Sequence, residues 1–131
     1  MKHLLVQALV CLMAVTGTVA HAQQREEGNI KTEDVTYTDH GTKLHGYVAW
    51  DATQKGKRPV VVVVHEWWGN NDYAKMRARM LAGLGYIAIA ADMYADGKMA
   101  DNPQNAQELS GPFYKNPDMG KQRIEAAIAR V

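Results

Sequence analysis

Polar and apolar residues alternate along two short segments in the first half of the chain. "DVTYT" and "KLHGYVAW" are rich in β-branched and aromatic residues, and the turn sequence "DHG" separates them. Two such segments joined by a short turn predict an antiparallel β-hairpin. The polar residues 23–31 before it and the charged "DATQKGKR" after it predict a loose lead-in and a loop.

The alternation stops at "PVVVVV", where five consecutive valines follow Pro59. A strand that is apolar on both faces is typical of a parallel sheet covered by helices. Sheets tolerate proline at the first position of a strand, so we predict that this strand opens at Pro59.

A helical period replaces this pattern after the strand. Five apolar side chains fall on one predicted stripe, with basic residues facing away from most of it: Tyr73, Met76, Met80, Leu81 and Leu84. Asn71 or Asp72 can cap the start, and Gly85 can end the helix. "YIAIAA" then predicts a second buried strand that ends at Asp92. Strand, helix and strand in this order form a βαβ unit.

The chain beyond Asp92 is predicted to be mostly irregular until a final helix. Asn102 and Pro103 predict a short capped helix that ends near Leu109. Pro117 starts the last helix, whose predicted apolar stripe consists of Ile124, Ala127, Ile128 and Val131. No strand follows that helix in the sequence, whereas a doubly wound sheet normally continues with one. We therefore predict an α/β fold in which one inner strand is left with an unpaired edge.

Residues 1–22 have the pattern of a secretory signal peptide. A short basic start precedes an apolar run and the small-x-small ending Ala20-His21-Ala22. A membrane anchor is the weaker interpretation, because Gln7, Thr16 and Thr18 interrupt a run that is already short for a membrane span. We expect cleavage after Ala22, a periplasmic or secreted protein, and a single domain over residues 23–131.

Charge and cysteine content narrow the class of protein further. The chain has 15 Lys and Arg against 14 Asp and Glu, without a basic stripe or an acidic tail. We therefore expect neither nucleic acid nor, after signal cleavage, a membrane as a partner. Cys11, the one cysteine, lies inside the predicted signal peptide. The core of residues 23–131 must therefore form without disulfides.

The candidate chemistry lies in "HEWWG", which follows the valine strand directly. Ligands of open α/β sheets bind outside the carboxyl ends of the strands, and Asp92 follows the neighbouring strand. Because Glu66 lies beside two indoles, we expect its carboxylate to be partly desolvated and suited to holding or transferring a proton. Backbone N–H groups of the following turn can bind an oxyanion. The structural alternative is that Glu66 caps the helix or pairs with Arg77 or Arg79.

The two tryptophans and the histidine of this segment have fewer possible roles. Trp67 and Trp68 can stack on a ligand or cover the end of the core, and one of them can do each. A zinc site of the His-Glu-x-x-His type is excluded, because Gly69 stands where the second histidine belongs. We expect no metal site.

Two blocks of this sequence, "HEWWGNND" and "GYIAIAADMYADG", closely resemble the start of the dienelactone hydrolase family, a branch of the α/β-hydrolases. The resemblance runs from the hairpin to the last helix. It implies a mostly parallel sheet with helices on both faces and an N-terminal antiparallel hairpin. It also implies hydrolysis of esters or lactones through an acyl-enzyme, by a cysteine or serine nucleophile, a histidine and an aspartate. No cofactor is implied.

The resemblance assigns roles to individual residues of the site. Glu66 matches the family's glutamate beside the nucleophile, and the amide of Trp67 matches one half of the oxyanion hole. Trp68 is a candidate substrate-binding residue. Typical members bind a substrate carboxylate through an arginine, but the corresponding segment here, "NPQNAQELSG", has none. The resemblance therefore does not extend to that substrate preference.

The nucleophile elbow and the rest of the triad have no match in this sequence. The family's Gly-x-Cys/Ser-x-Gly elbow lies on the strand after the last helix, and Ser110 in "ELSGPF" follows a predicted helix instead. We therefore predict the N-terminal part of an exported ester or lactone hydrolase, truncated before the nucleophile strand and inactive by itself. The alternatives are a non-catalytic ligand-binding module and an inactive remnant. The sequence gives neither the substrate nor the oligomeric state.

Overall fold

The structure is a computed structural model that describes residues 29–131. The predicted signal peptide and its cleavage site lie outside the described residues. Four strands and three helices follow one another along the chain as β1 (Ile30–Asp39), β2 (Thr42–Asp51), β3 (Val60–Val64), α1 (Asp72–Gly83), β4 (Ile87–Ala91), α2 (Pro103–Lys115) and α3 (Pro117–Arg130). The α/β class and the element order agree with the sequence-based prediction.

The four strands form one mixed sheet in the order β1-β2-β4-β3. β1 and β2 form the predicted hairpin, β2 pairs antiparallel with β4, and β3 pairs parallel with β4. Within the described part of the chain antiparallel pairs therefore outnumber the parallel one, because the hairpin supplies two of the four strands. The predicted βαβ unit is confirmed as β3, α1 and β4, with β3 opening directly after Pro59.

β3 lies at one edge of this sheet, and its outer side has no strand partner among residues 29–131. Val60 and Val64 are 38% and 49% exposed, and the three valines between them are half-buried. The predicted unpaired edge is therefore confirmed. β3 is therefore less buried than we expected for an apolar strand in a covered parallel sheet.

The helices cover both faces of the sheet. On one face Ala74, Ala78 and Ala82 of α1 pack against the strands. Their cluster includes Tyr47 and Ala49 of β2 and Ala88 and Ala90 of β4. On the other face Ala127 of α3 joins the core of Leu44, Val48 and Ile89, with Phe113 of α2 packed against it. Successive residues of β4 alternate between these two clusters, as the pleat of a strand requires.

The predicted apolar stripe of α1 is wrong. Tyr73, Met76, Met80 and Leu84 are exposed, and only Leu81 of that stripe is partly buried. Ala74, Ala78 and Ala82 face the sheet instead, four residues apart along one helix face. The facing strands also carry alanines, so small side chains meet small side chains over much of this contact.

The ends of α1 match the prediction. Asn71 is the N-cap, and its side-chain oxygen accepts hydrogen bonds from the N–H groups of Tyr73 and Ala74. Gly85 follows the helix with a φ of 100° and donates its N–H to the carbonyl of Ala82. A left-handed residue at this position is the usual glycine stop of a helix.

The second and third helices differ from the prediction in detail. α2 continues past Leu109 to Lys115 with Pro112 inside it, so Ser110 lies within a helix rather than after one. α3 begins at Pro117 as predicted, but Ile128 and Val131 are exposed. Arg123 is buried in their place, because its guanidinium donates to the buried Asp39 carboxylate over 2.6 Å.

Candidate functional site

The segment after β3 forms a tight turn at the carboxyl end of the sheet. The N–H of Gly69 donates to the carbonyl of Glu66 over 3.2 Å, so Trp67 and Trp68 are the central residues of the turn. Gly69 has a φ of 96°, and a side chain there would lie 2.9 Å from the Lys98 carbonyl oxygen. Glycine is therefore required for the chain to pass this point.

The Glu66 side chain is exposed, so the expected desolvation by two indoles is not observed. The reason is that the Trp67 side chain turns away toward α2. The two structural roles considered for Glu66 are also not found. Asn71 caps α1, and Arg77 and Arg79 donate to Met80 and Tyr47 instead. Within residues 29–131 the Glu66 carboxylate makes no hydrogen bond or ion pair.

The backbone N–H of Trp67 is likewise unengaged. Neither this group nor the N–H of Trp68 donates a hydrogen bond to a described residue, although both lie in an ordered turn. An unpaired N–H at the end of a parallel strand is the type of donor that binds a developing oxyanion. The N–H that the sequence resemblance assigns to an oxyanion hole is therefore unengaged, as is the carboxylate of the preceding residue.

The two tryptophans have different environments, which separates the roles left open for them. The indole N–H of Trp67 donates to the Ser110 hydroxyl over 3.0 Å and so ties the turn to α2. Trp68 makes no side-chain hydrogen bond within the described residues, and its ring lies 5.8 Å from that of Trp67 at a 58° tilt. Trp67 thus anchors the turn, whereas Trp68 has no such tie, and both indoles remain exposed.

Ser110, the one serine of the chain, is buried in α2, accepts the Trp67 hydrogen bond and donates to the Gln107 carbonyl. A hydroxyl held in this way is a structural partner of the turn and not a nucleophile in an elbow. Shallow concavities of the described surface lie along α2, and Glu66 does not line them.

Asp92, at the end of the neighbouring strand, is fully buried and serves the backbone. Its two carboxylate oxygens accept from the N–H groups of His45, Ala95 and Gly97. These bonds support a loop in which Ala95 and Asp96 have positive φ angles. The carboxylate is therefore fully used in shaping the loop after β4 and does not reach the Glu66 turn as a free group.

His65 links the ends of β3 and β4. Its Nε2 accepts the Met93 N–H over 3.2 Å, so the ring hydrogen is on Nδ1, which donates to the Glu66 carbonyl over 2.7 Å. Burial lowers the pKa of His65 below its usual value, although the Glu66 carbonyl and the Asp92 charge oppose the effect. A neutral imidazole is the form that these two bonds require.

The described residues contain no group of three or more His, Cys, Asp or Glu side chains that could hold a metal ion. Of the histidines, His40 lies at the hairpin turn and pairs there with Asp39 over 2.6 Å. Over the same residues 29–131, none of the helices is long and apolar enough to cross a membrane.

A sheet with helices on both faces and a candidate site after a parallel strand is the architecture of an open α/β protein. The family model of the dienelactone hydrolase family matches residues 44–131. This chain therefore belongs to the dienelactone hydrolase family.

Relatives and solved structures agree with this membership. A protein of Aquifex aeolicus with the provisional name carboxymethylenebutenolidase is 40% identical over 98 residues, which are 72% of this chain. An Escherichia coli protein, YghX, is named as a hydrolase fragment and is 36% identical over 106 residues, or 78% of this chain. The crystal structure of a dienelactone hydrolase-like promiscuous phosphotriesterase from metagenomic libraries superposes with a TM-score of 0.71 at 39% identity, over 78% of this chain.

The chain spans only part of most of these proteins. It covers 41% of the Aquifex aeolicus protein and 42% of the phosphotriesterase, but 90% of the Escherichia coli fragment. The longer relatives therefore contain residues that have no counterpart in this chain.

Proposed function

We propose that this chain is the N-terminal part of an exported hydrolase that cleaves ester or lactone bonds of small molecules through an acyl-enzyme. Family membership supports the reaction class. The observation that carries the proposal is the pair of unengaged groups after β3, namely the Glu66 carboxylate and the Trp67 N–H. Both stand where open α/β sheets bind their ligands.

The reaction would need a nucleophile, a histidine and an aspartate from outside residues 29–131. The nucleophile's oxygen or sulfur would add to the substrate carbonyl carbon as its proton passes to the histidine. The electron pair of the carbonyl then moves to its oxygen, where the Trp67 N–H donates a hydrogen bond. Collapse of this tetrahedral intermediate expels the alcohol, which takes the proton from the histidine. Water then attacks the acyl-enzyme by the same steps and releases the acid and the free nucleophile.

Glu66 would act beside this nucleophile. An unpaired carboxylate can accept the hydroxyl or thiol hydrogen of the resting nucleophile and so keep it oriented before the substrate arrives. Trp68 would contribute an apolar surface for the acyl or alcohol group. Because one structural neighbour is a promiscuous phosphotriesterase, phosphotriesters are a second substrate class to assay beside carboxylic esters.

The first test is the DNA downstream of the Val131 codon. The proposal predicts a continuing reading frame that encodes a Gly-x-Cys/Ser-x-Gly elbow after a predicted strand. The protein from that frame is expected to hydrolyse a chromogenic acetate ester. Glu66→Gln is expected to lower its kcat by at least about tenfold, whereas Glu125→Gln, an exposed carboxylate on α3, leaves it unchanged.

The 131-residue chain alone is expected to be inert in the same assay, at the level of its own Glu66→Ala variant. Turnover by the chain that disappears in Glu66→Ala would show a working nucleophile within these residues and contradict the proposed division of the site. A stop codon after Val131, together with inactivity, would contradict the proposed hydrolase.

A non-catalytic ligand-binding module is the second candidate function, and the exposed Trp68 indole favours it. An inactive remnant is the third outcome of the same experiments. If the chain binds small esters with quenching of tryptophan fluorescence that Trp68→Ala abolishes, yet no frame continues, the binding module is the better account. Absence of both activity and binding would leave the remnant.

The exported state is part of the proposal and rests on the sequence of residues 1–22. N-terminal mass spectrometry of periplasmic material is expected to show Gln23 as the first residue. A soluble cytoplasmic form that retains Met1 would contradict export.

A further inference from the structure

Three consecutive carbonyl oxygens after β3 are each held by a hydrogen bond. The Glu66 carbonyl accepts from Nδ1 of His65 at 2.7 Å, in addition to the Gly69 N–H. The Trp67 carbonyl accepts from the Tyr94 hydroxyl at 3.0 Å. The Trp68 carbonyl accepts from the Ala100 N–H at 3.0 Å.

Holding a carbonyl also fixes the N–H of the same peptide group. A trans peptide is planar, and its C=O and N–H point in opposite directions. The Glu66 carbonyl and the Trp67 N–H belong to one peptide group, so the short bond from His65 sets the direction of the Trp67 N–H together with the longer bond from Gly69. In the same way, the bond from Tyr94 to the Trp67 carbonyl sets the direction of the Trp68 N–H.

His65 and Tyr94 are themselves firmly placed. The His65 ring is buried, receives the Met93 N–H on its other nitrogen and lies edge-on to the Tyr94 ring, with centroids 4.6 Å apart. The Tyr94 ring packs in turn near Phe113 of α2. A buried side chain after β3 and a half-buried one after β4 therefore hold the turn, while the N–H groups of the two tryptophans stay unengaged.

We propose that His65 and Tyr94 are positioning residues that orient the peptide groups of the Glu66–Gly69 turn, so that the Trp67 N–H is directed at the oxyanion before any substrate binds. This deepens the proposed function and rests on it for the role of the Trp67 N–H. Donors that are already oriented need no reorganisation when charge develops, which is the condition for strong oxyanion stabilisation.

The alternative is a purely structural His65 that ties β3 to β4 through Met93. The two ring nitrogens allow a matched pair of variants to separate these roles. In His65→Asn the amide nitrogen takes the place of Nδ1 and keeps the bond to the Glu66 carbonyl, but the acceptor for Met93 is lost. In His65→Gln the longer side chain keeps an acceptor for Met93 and loses the donor to Glu66.

Selective ¹⁵N-tryptophan labelling gives the readout on the intact chain. Three tryptophans yield three backbone amide signals, with Trp50 on β2 as the internal control for folding. A hydrogen bond to a carbonyl withdraws electron density from the nitrogen of its own peptide group. We therefore expect the Trp67 ¹⁵N resonance to move upfield in His65→Gln and to stay near its wild-type position in His65→Asn.

A third variant tests the second peptide group. Tyr94→Phe keeps the ring contacts and removes the hydroxyl that donates to the Trp67 carbonyl. It is expected to move the Trp68 ¹⁵N resonance upfield while Trp67 moves less. If His65→Gln does not fold, as a displaced Trp50 signal would show, this variant still decides the proposal.

The proposal is overturned if Trp67 is unmoved in a folded His65→Gln, if His65→Asn moves it equally far, or if Tyr94→Phe leaves Trp68 in place. These results do not depend on catalysis. An inactive product of the continuing frame would refute the proposed hydrolase while leaving the positioning of the turn established. In an active product, His65→Gln is expected to lower kcat with little change in KM. The His65→Asn variant is expected to retain most of the wild-type kcat.

Discussion

The ionisation of His65 is coupled to the geometry of the turn that carries Glu66. Protonation of its Nε2 would remove the acceptor for the Met93 N–H and place a charge in a buried site. Burial lowers the pKa of His65. The negative charge of Asp92 opposes this shift, and the Tyr94 ring meets the imidazole as an uncharged edge. The neutral ring is therefore the stable form in the folded chain.

This arrangement predicts a loss of stability in mild acid. Because the folded pKa lies below the unfolded value of about 6.5, the unfolded chain binds the proton first as the pH falls. The contribution of neutral His65 is complete above that value and is lost as the pH drops through the folded pKa. Urea unfolding is expected to show a larger fall in the free energy of unfolding between about pH 8 and about pH 5 for wild type than for His65→Gln. Equal falls would contradict the coupling.

Residue types could be predicted for the site, but their partners could not. Glu66 and the Trp67 amide follow from a strand end and a sequence resemblance, both of which are local. The contacts of His65 with Met93 and of Trp67 with Ser110 join residues 28 and 43 positions apart. No periodicity along the chain signals such pairs, because they depend on which elements the sheet order brings together. The expected shielding of Glu66 is wrong for the same reason.

At the scale of elements, α1 shows where reasoning from hydrophobic periodicity is misled by side-chain size. The large residues Tyr73, Met76, Met80 and Leu84 dominate the apolar pattern but lie outside. The weaker alanine stripe lies inside, because the helix and the strands meet through small side chains. The strands, the hairpin turn, Asn71 and Gly85 could all be predicted, since each has a local chemical cause.

Two substitutions on α1 test this packing directly. Ala78→Leu is expected to destabilise the chain by about 1–3 kcal/mol, because the fully buried alanine has no room for three more carbons. Met80→Ala, at a position 52% exposed, is expected to change the free energy of unfolding by less than about 0.5 kcal/mol. Urea unfolding measures both. If Met80→Ala destabilised the chain and Ala78→Leu did not, the result would support the apolar stripe predicted from the sequence.

For the whole molecule, the open edge of β3 and the exposed apolar residues of α1 predict self-association. An apolar edge strand without charge is a template for pairing with another chain. Residues 23–131 alone are expected to self-associate in size-exclusion chromatography with light scattering. A longer product that continues beyond the next strand is expected to be monomeric or discretely dimeric.

A matched pair of lysines locates the edge responsible. Val64→Lys on β3 is expected to reduce self-association, because a charge on an edge strand opposes pairing. Thr32→Lys, on the exposed part of β1 at the opposite edge, is expected to leave it unchanged. A stable wild-type monomer that unfolds cooperatively would show instead that residues 23–131 form a self-sufficient domain.

The central claim is that the Trp67 N–H of this chain holds the oxyanion of an ester hydrolysis. The most direct measurement replaces that N–H by an oxygen, through incorporation of the α-hydroxy analogue of tryptophan at position 67 of the longer, active product. Its kcat is expected to fall about 10²–10³-fold, the usual cost of one oxyanion donor. The same replacement at Trp68, whose N–H is also unengaged, serves as the matched control and is expected to retain activity. Unchanged kcat at position 67, or equal losses at both positions, would contradict the account.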